Sequence, residues 1–104
     1  TAPAYRMYAL DTEPPKPGLV RVDDGGAAIE GELWLLPAAA LGTFLAALPA
    51  PMTLGAVTLA DGRVVVGFGV EAAAVAGAPD VTAYGSWSAY LATGAASAVG
   101  APTT

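Results

Sequence analysis

The 104-residue chain contains no cysteine and no histidine. Without them there is no thiolate nucleophile, no Ser-His pair, no imidazole acid or base near neutral pH and no thiolate or imidazole metal ligand. The commonest catalytic and metal-binding constellations are therefore excluded, and neither a metal nor another cofactor is expected. The missing thiols accord with a reducing compartment, so the expected location is the cytoplasm. Positive charge is nearly as scarce. Lys16 is the only lysine and Arg6, Arg21 and Arg63 are the only arginines, against nine acidic residues and a formal net charge of −5. Too few cations remain to track a phosphate backbone, and no nucleic-acid partner is expected.

Long unbroken apolar runs are missing too, despite a hydrophobic fraction of 55% and a mean hydropathy of +0.56. Leu33 to Ala60 carries no charge, but Pro37, Pro49, Pro51, Gly42 and Gly55 cut it into pieces shorter than the ~20 residues of a spanning helix. No membrane span is expected, nor a secretory leader, because Arg6 is followed closely by Asp11. Much of the hydropathy is alanine, which adds little area per burial. A fold of this length buries about two-thirds of its unfolded surface, enough for one domain without disulfide or metal.

What is present reads as alternating strands and helices. Tyr5 to Leu10 is a short aromatic and apolar run, stopped by Asp11-Thr12-Glu13-Pro14-Pro15. Leu19 to Val22 is a second run, and Asp23-Asp24-Gly25-Gly26 turns it toward a third from Ala28 to Leu36, which predicts a hairpin between the two. In the third run a period of two sets Ile29, Gly31, Leu33 and Leu35 on one face, expected to pack, and Glu30, Glu32, Trp34 and Leu36 on the other. Pro37 suits a helix start, and Leu41, Phe44, Leu45 and Leu48 follow at helical spacing until Pro49 and Pro51 end it. Met52 to Leu59 and Arg63 to Val70 flank Asp61-Gly62, a tight-hairpin signal. Glu71 to Pro79 is small and flexible in composition. Ser86 then caps a short helix bearing Trp87, Tyr90 and Leu91. Residues 1–92 make one domain, and residues 93–104, almost all Ala, Gly, Ser, Thr and Pro, are expected to form a disordered tail.

Chemistry-bearing residues are few. In Lys16-Pro17-Gly18-Leu19-Val20-Arg21 two of four cations frame one Pro-Gly turn, a candidate site for a small anion, with a solvated turn as the plainer alternative. Glu30 and Glu32 share a strand face about 6.6 Å apart, twice the strand rise, which suits paired carboxylates or any solvated strand. Glu71 ends an apolar run, either as an acid or as a cap on nearby amides. The candidate substrate-binding set is thus Lys16, Pro17, Gly18, Arg21, Glu32 and Glu71, with no catalytic residue assigned. Trp34, Phe44, Trp87 and Tyr90 are expected to pack.

Several spaced segments, in order, resemble the C-terminal domain of allophanate hydrolase: Tyr5-Arg6-Met7-Tyr8-Ala9-Leu10, Lys16 to Val22, Ile29-Glu30-Gly31-Glu32-Leu33-Trp34, Pro49-Ala50-Pro51-Met52, Leu59-Ala60-Asp61-Gly62, Gly67-Phe68 with Glu71, and Tyr84-Gly85-Ser86-Trp87 with Tyr90-Leu91. That domain is itself similar to the γ-glutamyl cyclotransferases. The resemblance implies an α+β fold: a small mixed, mostly antiparallel β-barrel with one packed helix and a short C-terminal helix. It also implies a function beside an amidase domain or subunit, namely decarboxylation of N-carboxycarbamate to ammonia and carbon dioxide in urea or triazine nitrogen breakdown. The substrate would be a small anionic, carbamate-like dicarboxylate held by Lys16 and Arg21.

Two departures from the pattern limit what this chain does alone. The family's upstream Gly-Ala-His-Leu loop has no counterpart here, and the glutamate that cyclotransferases carry after the helix is replaced by Leu48-Pro49-Ala50-Pro51. The isolated chain is therefore expected to be inactive. A non-catalytic assembly or binding module for an amidase, marked by an exposed apolar patch around Trp34 and Leu36, stays open as the alternative. So do a cyclotransferase-like protein of unknown substrate and a homo-oligomeric state.

Overall fold

Burial with a period of two along Tyr5-Arg6-Met7-Tyr8-Ala9 makes the first strand, β1 (Tyr5–Leu10), the floor of the core. Tyr5, Met7 and Ala9 point inward and are buried, while Arg6 and Tyr8 face outward. The computed structural model describes residues 1–94. After β1 come β2 (Lys16–Arg21), α1 (Ala38–Ala46), β3 (Met52–Thr58), β4 (Val64–Val70), α2 (Ala72–Val75), a 3₁₀ turn (Thr82–Tyr84) and α3 (Trp87–Ala92).

β1 pairs antiparallel with β2, Met7 lying opposite Leu19 and Ala9 opposite Pro17. Pro17 is tolerated because β2 is an edge strand, where a missing amide hydrogen leaves no ladder bond broken. β3 pairs antiparallel with β4, with Val57 opposite Val65. Gly62, at φ +91°, supplies the left-handed residue of the turn that Asp61-Gly62 foretells. Across the two hairpins Gly18 lies against Val70: a Cβ at Gly18 would stand 3.2 Å from Val70 Cγ1 and 2.8 Å from Leu10 Cδ2. A side chain at Gly18 would require the Leu10 side chain to move aside.

The core gathers Tyr5, Met7, Ala9, Ile29, Val81 and Tyr90, with Leu19, Val57 and Trp87 packed against it. Tyr90 receives the Tyr84 ring edge-on at 5.2 Å and Trp87 at 5.1 Å. Burying side chains as large as Met7 and Tyr90 contributes roughly 1.5–3 kcal/mol each. α3 is delivered to this cluster by Ser86, whose hydroxyl accepts the Ala89 amide at 3.1 Å, the cap that the sequence indicates.

Four expectations are corrected. The run from Ala28 to Leu36 is not the hairpin partner of β2. β1 takes that role, and the third run contributes Ile29 to the core but pairs only through isolated bridges, Glu30 to Ser86 and, just before it, Ala27 to Tyr5. Residues 31–37 form no regular secondary structure, and Leu33 and Leu35 do not pack, nor does Trp34: Leu33, Trp34, Leu35 and Leu36 are 58%, 79%, 102% and 51% exposed. The helix after Pro37 forms where the proline and the leucine spacing place it, yet none of its residues is buried, and its Phe44, 45% exposed, sets its ring 5.6 Å from that of Phe68. The strands make two separate two-stranded sheets among the described residues, and no closed barrel is present there. The fold is a small α+β unit with antiparallel pairing. The Glu71–Pro79 stretch contains the short α2, which alanine propensity accounts for. Apart from Thr93 and Gly94, the expected tail lies outside the described residues.

Candidate functional site

β2 opens with Lys16, half-buried and opposite Leu10, followed by Pro17 and the buried Gly18. Because Gly18 touches Val70, the start of β2 lies beside the end of β4, where Glu71 follows. The Glu71 amide donates to Pro51 O at 3.0 Å and fixes that strand end, while its carboxylate makes no hydrogen bond. Gly18 thus lies against the residue that precedes Glu71, and the Lys16 ammonium has no carboxylate partner among the described residues.

The other two candidates do not join them. Arg21 ends β2, five residues from Lys16. An odd separation puts two side chains on opposite faces of a strand, here with about 17 Å of strand between them. At that far end Arg21 Nη1 donates to Thr58 Oγ1 at 2.9 Å, and its guanidinium carbon stands 6.0 Å from the centre of the Tyr5 ring. Glu32 sits on the exposed 31–37 segment without a hydrogen bond or ion pair. A two-cation clamp of Lys16 and Arg21 on one anion is therefore not assembled. What remains is a lone ammonium at Lys16 without an ion pair and a Glu71 carboxylate without a hydrogen bond, with no ordered proton relay among them.

Two polar networks emerge that the sequence does not announce. Arg6 Nε meets Asp80 Oδ2 at 2.7 Å, and Arg6 Nη1 donates to Gly25 O at 2.6 Å. Asp80 Oδ1 accepts the Thr82 amide and hydroxyl, and the Thr82 Oγ1 in turn accepts the Met7 amide at 2.9 Å. The Arg6 guanidinium, assisted by Thr82, holds the Asp80 carboxyl down at about 2. This latch ties the outer face of β1 to the 3₁₀ turn. Asp80-Val81-Thr82 has the local signature of an Asx turn, but nothing in the sequence links it to Arg6, 74 positions away. The second network is that of Tyr5, whose hydroxyl accepts the Thr58 amide at 2.8 Å. Burial would raise the Tyr5 pKa, but that bond and the nearby Arg21 outweigh it and lower the value.

A further surface feature is apolar. From Leu33 the exposed side chains run through Leu36 into Phe44 and Leu45 of α1, and Val64, Val66 and Phe68 of β4 are exposed as well. Between α1 and the β3–β4 hairpin lies an open groove of about 390 Å³ lined by Leu41, Leu45, Leu54, Ala56, Val64 and Val66. No helix among the described residues is long and apolar enough to cross a membrane.

Residues 1–92 match the family described as the allophanate hydrolase C-terminal domain. The urea amidolyase of Saccharomyces cerevisiae is 37% identical over 96 residues, which are 88% of this chain and 5% of that protein. Among solved structures, an allophanate hydrolase from Kluyveromyces lactis superposes with a TM-score of 0.83 at 34% identity, over 89% of this chain and 16% of that one. A uropathogenic E. coli-specific protein superposes with a TM-score of 0.81 at 34% identity, over 88% of this chain and 71% of that one. The chain thus spans about a twentieth of the length of the curated relative it matches.

Proposed function

Since the chain belongs to the allophanate hydrolase C-terminal domain family, we propose that it works as one domain of a larger cytoplasmic allophanate-degrading enzyme, where it supports decarboxylation of N-carboxycarbamate next to an amidase. The observation that carries this reading is the family match across residues 1–92. Loss of carbon dioxide from a carbamate needs a cation to hold the carboxylate and a proton for the nitrogen as the C–N bond breaks. In this reading Lys16 supplies the first, with Pro17, Gly18 and Glu71 as further candidates for contact with the substrate. The proton donor comes from outside these residues, because the chain has no histidine and its one carboxylate there, Glu71, has no positioning partner.

The test is release of ammonia and carbon dioxide from allophanate. The amidase-containing protein that carries this domain should complete the breakdown, and the purified 104-residue chain should turn over neither the carbamate intermediate nor γ-glutamyl substrates. Turnover by the chain alone, abolished in Glu71→Gln or Lys16→Ala, would refute the division of labour.

A second reading, that of an assembly module, is favoured by one specific observation: the exposed apolar patch at Trp34 and Leu36. The two readings are compatible, since a domain that completes a site in a larger enzyme must also dock.

A further inference from the structure

We propose that Tyr8 is the second ligand-reading residue of the Lys16 site: its hydroxyl donates to one carboxylate of a small dicarboxylate whose other carboxylate Lys16 holds, and so selects ligands with two anionic ends. The inference deepens the functional reading above and rests on it. The period of two that buries Tyr5, Met7 and Ala9 sets Arg6, Tyr8 and Leu10 on the opposite face of β1. The register then fixes their company on β2. Tyr8 lies opposite Gly18 and Leu10 opposite Lys16, so Tyr8 and Lys16 are diagonal neighbours on one face of the ribbon, a separation of about 7–8 Å. That spacing suits two anionic groups on one short ligand better than two side chains on one carboxylate. Gly18 shares this face and carries no side chain, so nothing rises from β2 between Tyr8 and Lys16. Arg21 is paired with Tyr5 and belongs to the other face.

Both groups have donors to spare. Arg6 is engaged by Asp80 and Gly25 O, Arg63 by Asp61 and Arg21 by Thr58. Lys16 is the one cation whose side chain forms neither an ion pair nor a hydrogen bond among the described residues, in a chain with nine acidic residues. Tyr8 is half-buried, and the nearest carboxylate in register is that of Asp80, which faces it across an isolated bridge. Both oxygens of that carboxylate are taken, Oδ2 by Arg6 and Oδ1 by Thr82. No described residue therefore accepts the Tyr8 hydroxyl proton. An ammonium and a phenol hydroxyl on one face, each without an acceptor, match the two ends of a dicarboxylate.

Titration with malonate and with acetate, followed by the amide NMR shifts of Leu10, Gly18 and Val70 so that only binding at this face is counted, tests the assignment. Tyr8→Phe keeps the ring and deletes the hydroxyl. It should weaken malonate about tenfold, the lower end for a hydrogen bond to a charged group, and leave acetate unchanged. Lys16→Ala should weaken both ligands, and Tyr84→Phe, at an exposed tyrosine outside this ribbon, should weaken neither. Unchanged malonate affinity in Tyr8→Phe overturns the proposal. So does an equal loss of malonate and acetate, which denies Tyr8 the second carboxylate, and so does the absence of malonate-dependent shifts at these amides. Carbon dioxide release by the amidase-containing protein is read in parallel for the same variants. Malonate binding that depends on Tyr8 and Lys16, with carbon dioxide release unaffected by either substitution, refutes the functional reading alone. Release that falls in Lys16→Ala, with malonate affinity unchanged in Tyr8→Phe, refutes the Tyr8 assignment alone.

Discussion

Thr82→Val removes one hydroxyl from the best-satisfied buried polar position and keeps the side chain's shape. Thr82 is 5% exposed. Its Oγ1 accepts the Met7 amide at 2.9 Å and donates to Asp80 Oδ1. Valine leaves the Met7 amide buried without a partner, a loss of about 1–3 kcal/mol, and deletes a hydrogen bond to a charged carboxylate that Arg6 and the Thr82 amide still hold. The expected destabilisation is about 2–3 kcal/mol, or a fall in Tm on the order of 10 °C for a domain of this size. The substitution also carries a pH signature. Asp80 is depressed to about 2 in the folded protein, against about 3.9 unfolded. Its stabilisation is therefore complete above about pH 4–5 and is lost as the pH falls toward 2. The full shift is discounted to about 1 kcal/mol because the side chain is 35% exposed. Thr82→Val raises the folded pKa, so the variant should lose less of its stability between pH 5 and 2 than the unmodified protein does. Urea unfolding followed by tryptophan fluorescence reports both effects, since Trp87 packs on the core. Thr82→Ser, which keeps the hydroxyl, should cost less than half as much. Equal losses in the valine and serine variants, or a valine variant within 0.5 kcal/mol of the parent, would refute the hydrogen-bond argument.

Gly26→Ala should destabilise by about 1–3 kcal/mol in the same unfolding assay, because the new Cβ meets Ala4 backbone atoms at 2.7 Å, whereas Gly31→Ala, with open space around it, should be close to neutral. Tyr90→Ala, at a core position 2% exposed, should cost about 3–5 kcal/mol, and Trp34→Ala in the isolated chain should change stability by less than about 0.5 kcal/mol; a large loss at Trp34 would mean that the segment packs. Malonate binding, measured by calorimetry, should weaken about tenfold in Lys16→Ala and stay unchanged in Arg21→Ala, whose guanidinium is engaged with Thr58 at the other end of β2; the reverse order would restore the two-cation clamp.

The sequence by itself determined the elements whose causes are local. Asp61-Gly62 between β-branched runs is a hairpin because the turn needs a left-handed glycine, Ser86 starts a helix because its hydroxyl caps a nearby amide, and Pro37 opens one because its fixed φ suits the first turn. It determined the chemistry's limits too, since no fold can create a thiol, an imidazole or a second lysine. Only the tertiary structure decided which strands pair and which residues meet. Lys16 and Arg21 look like one site in the sequence and are separated by the parity of the strand they share. Arg6 finds Asp80 across 74 positions. The Ala28–Leu36 run alternates like a strand yet has no partner strand among the described residues, because β2 pairs with β1 and isolated bridges to Ala27 and Asp80 lie along β1. Pairing is a competition among distant edges, and its outcome depends on which backbone groups remain free, a quantity that no local pattern contains.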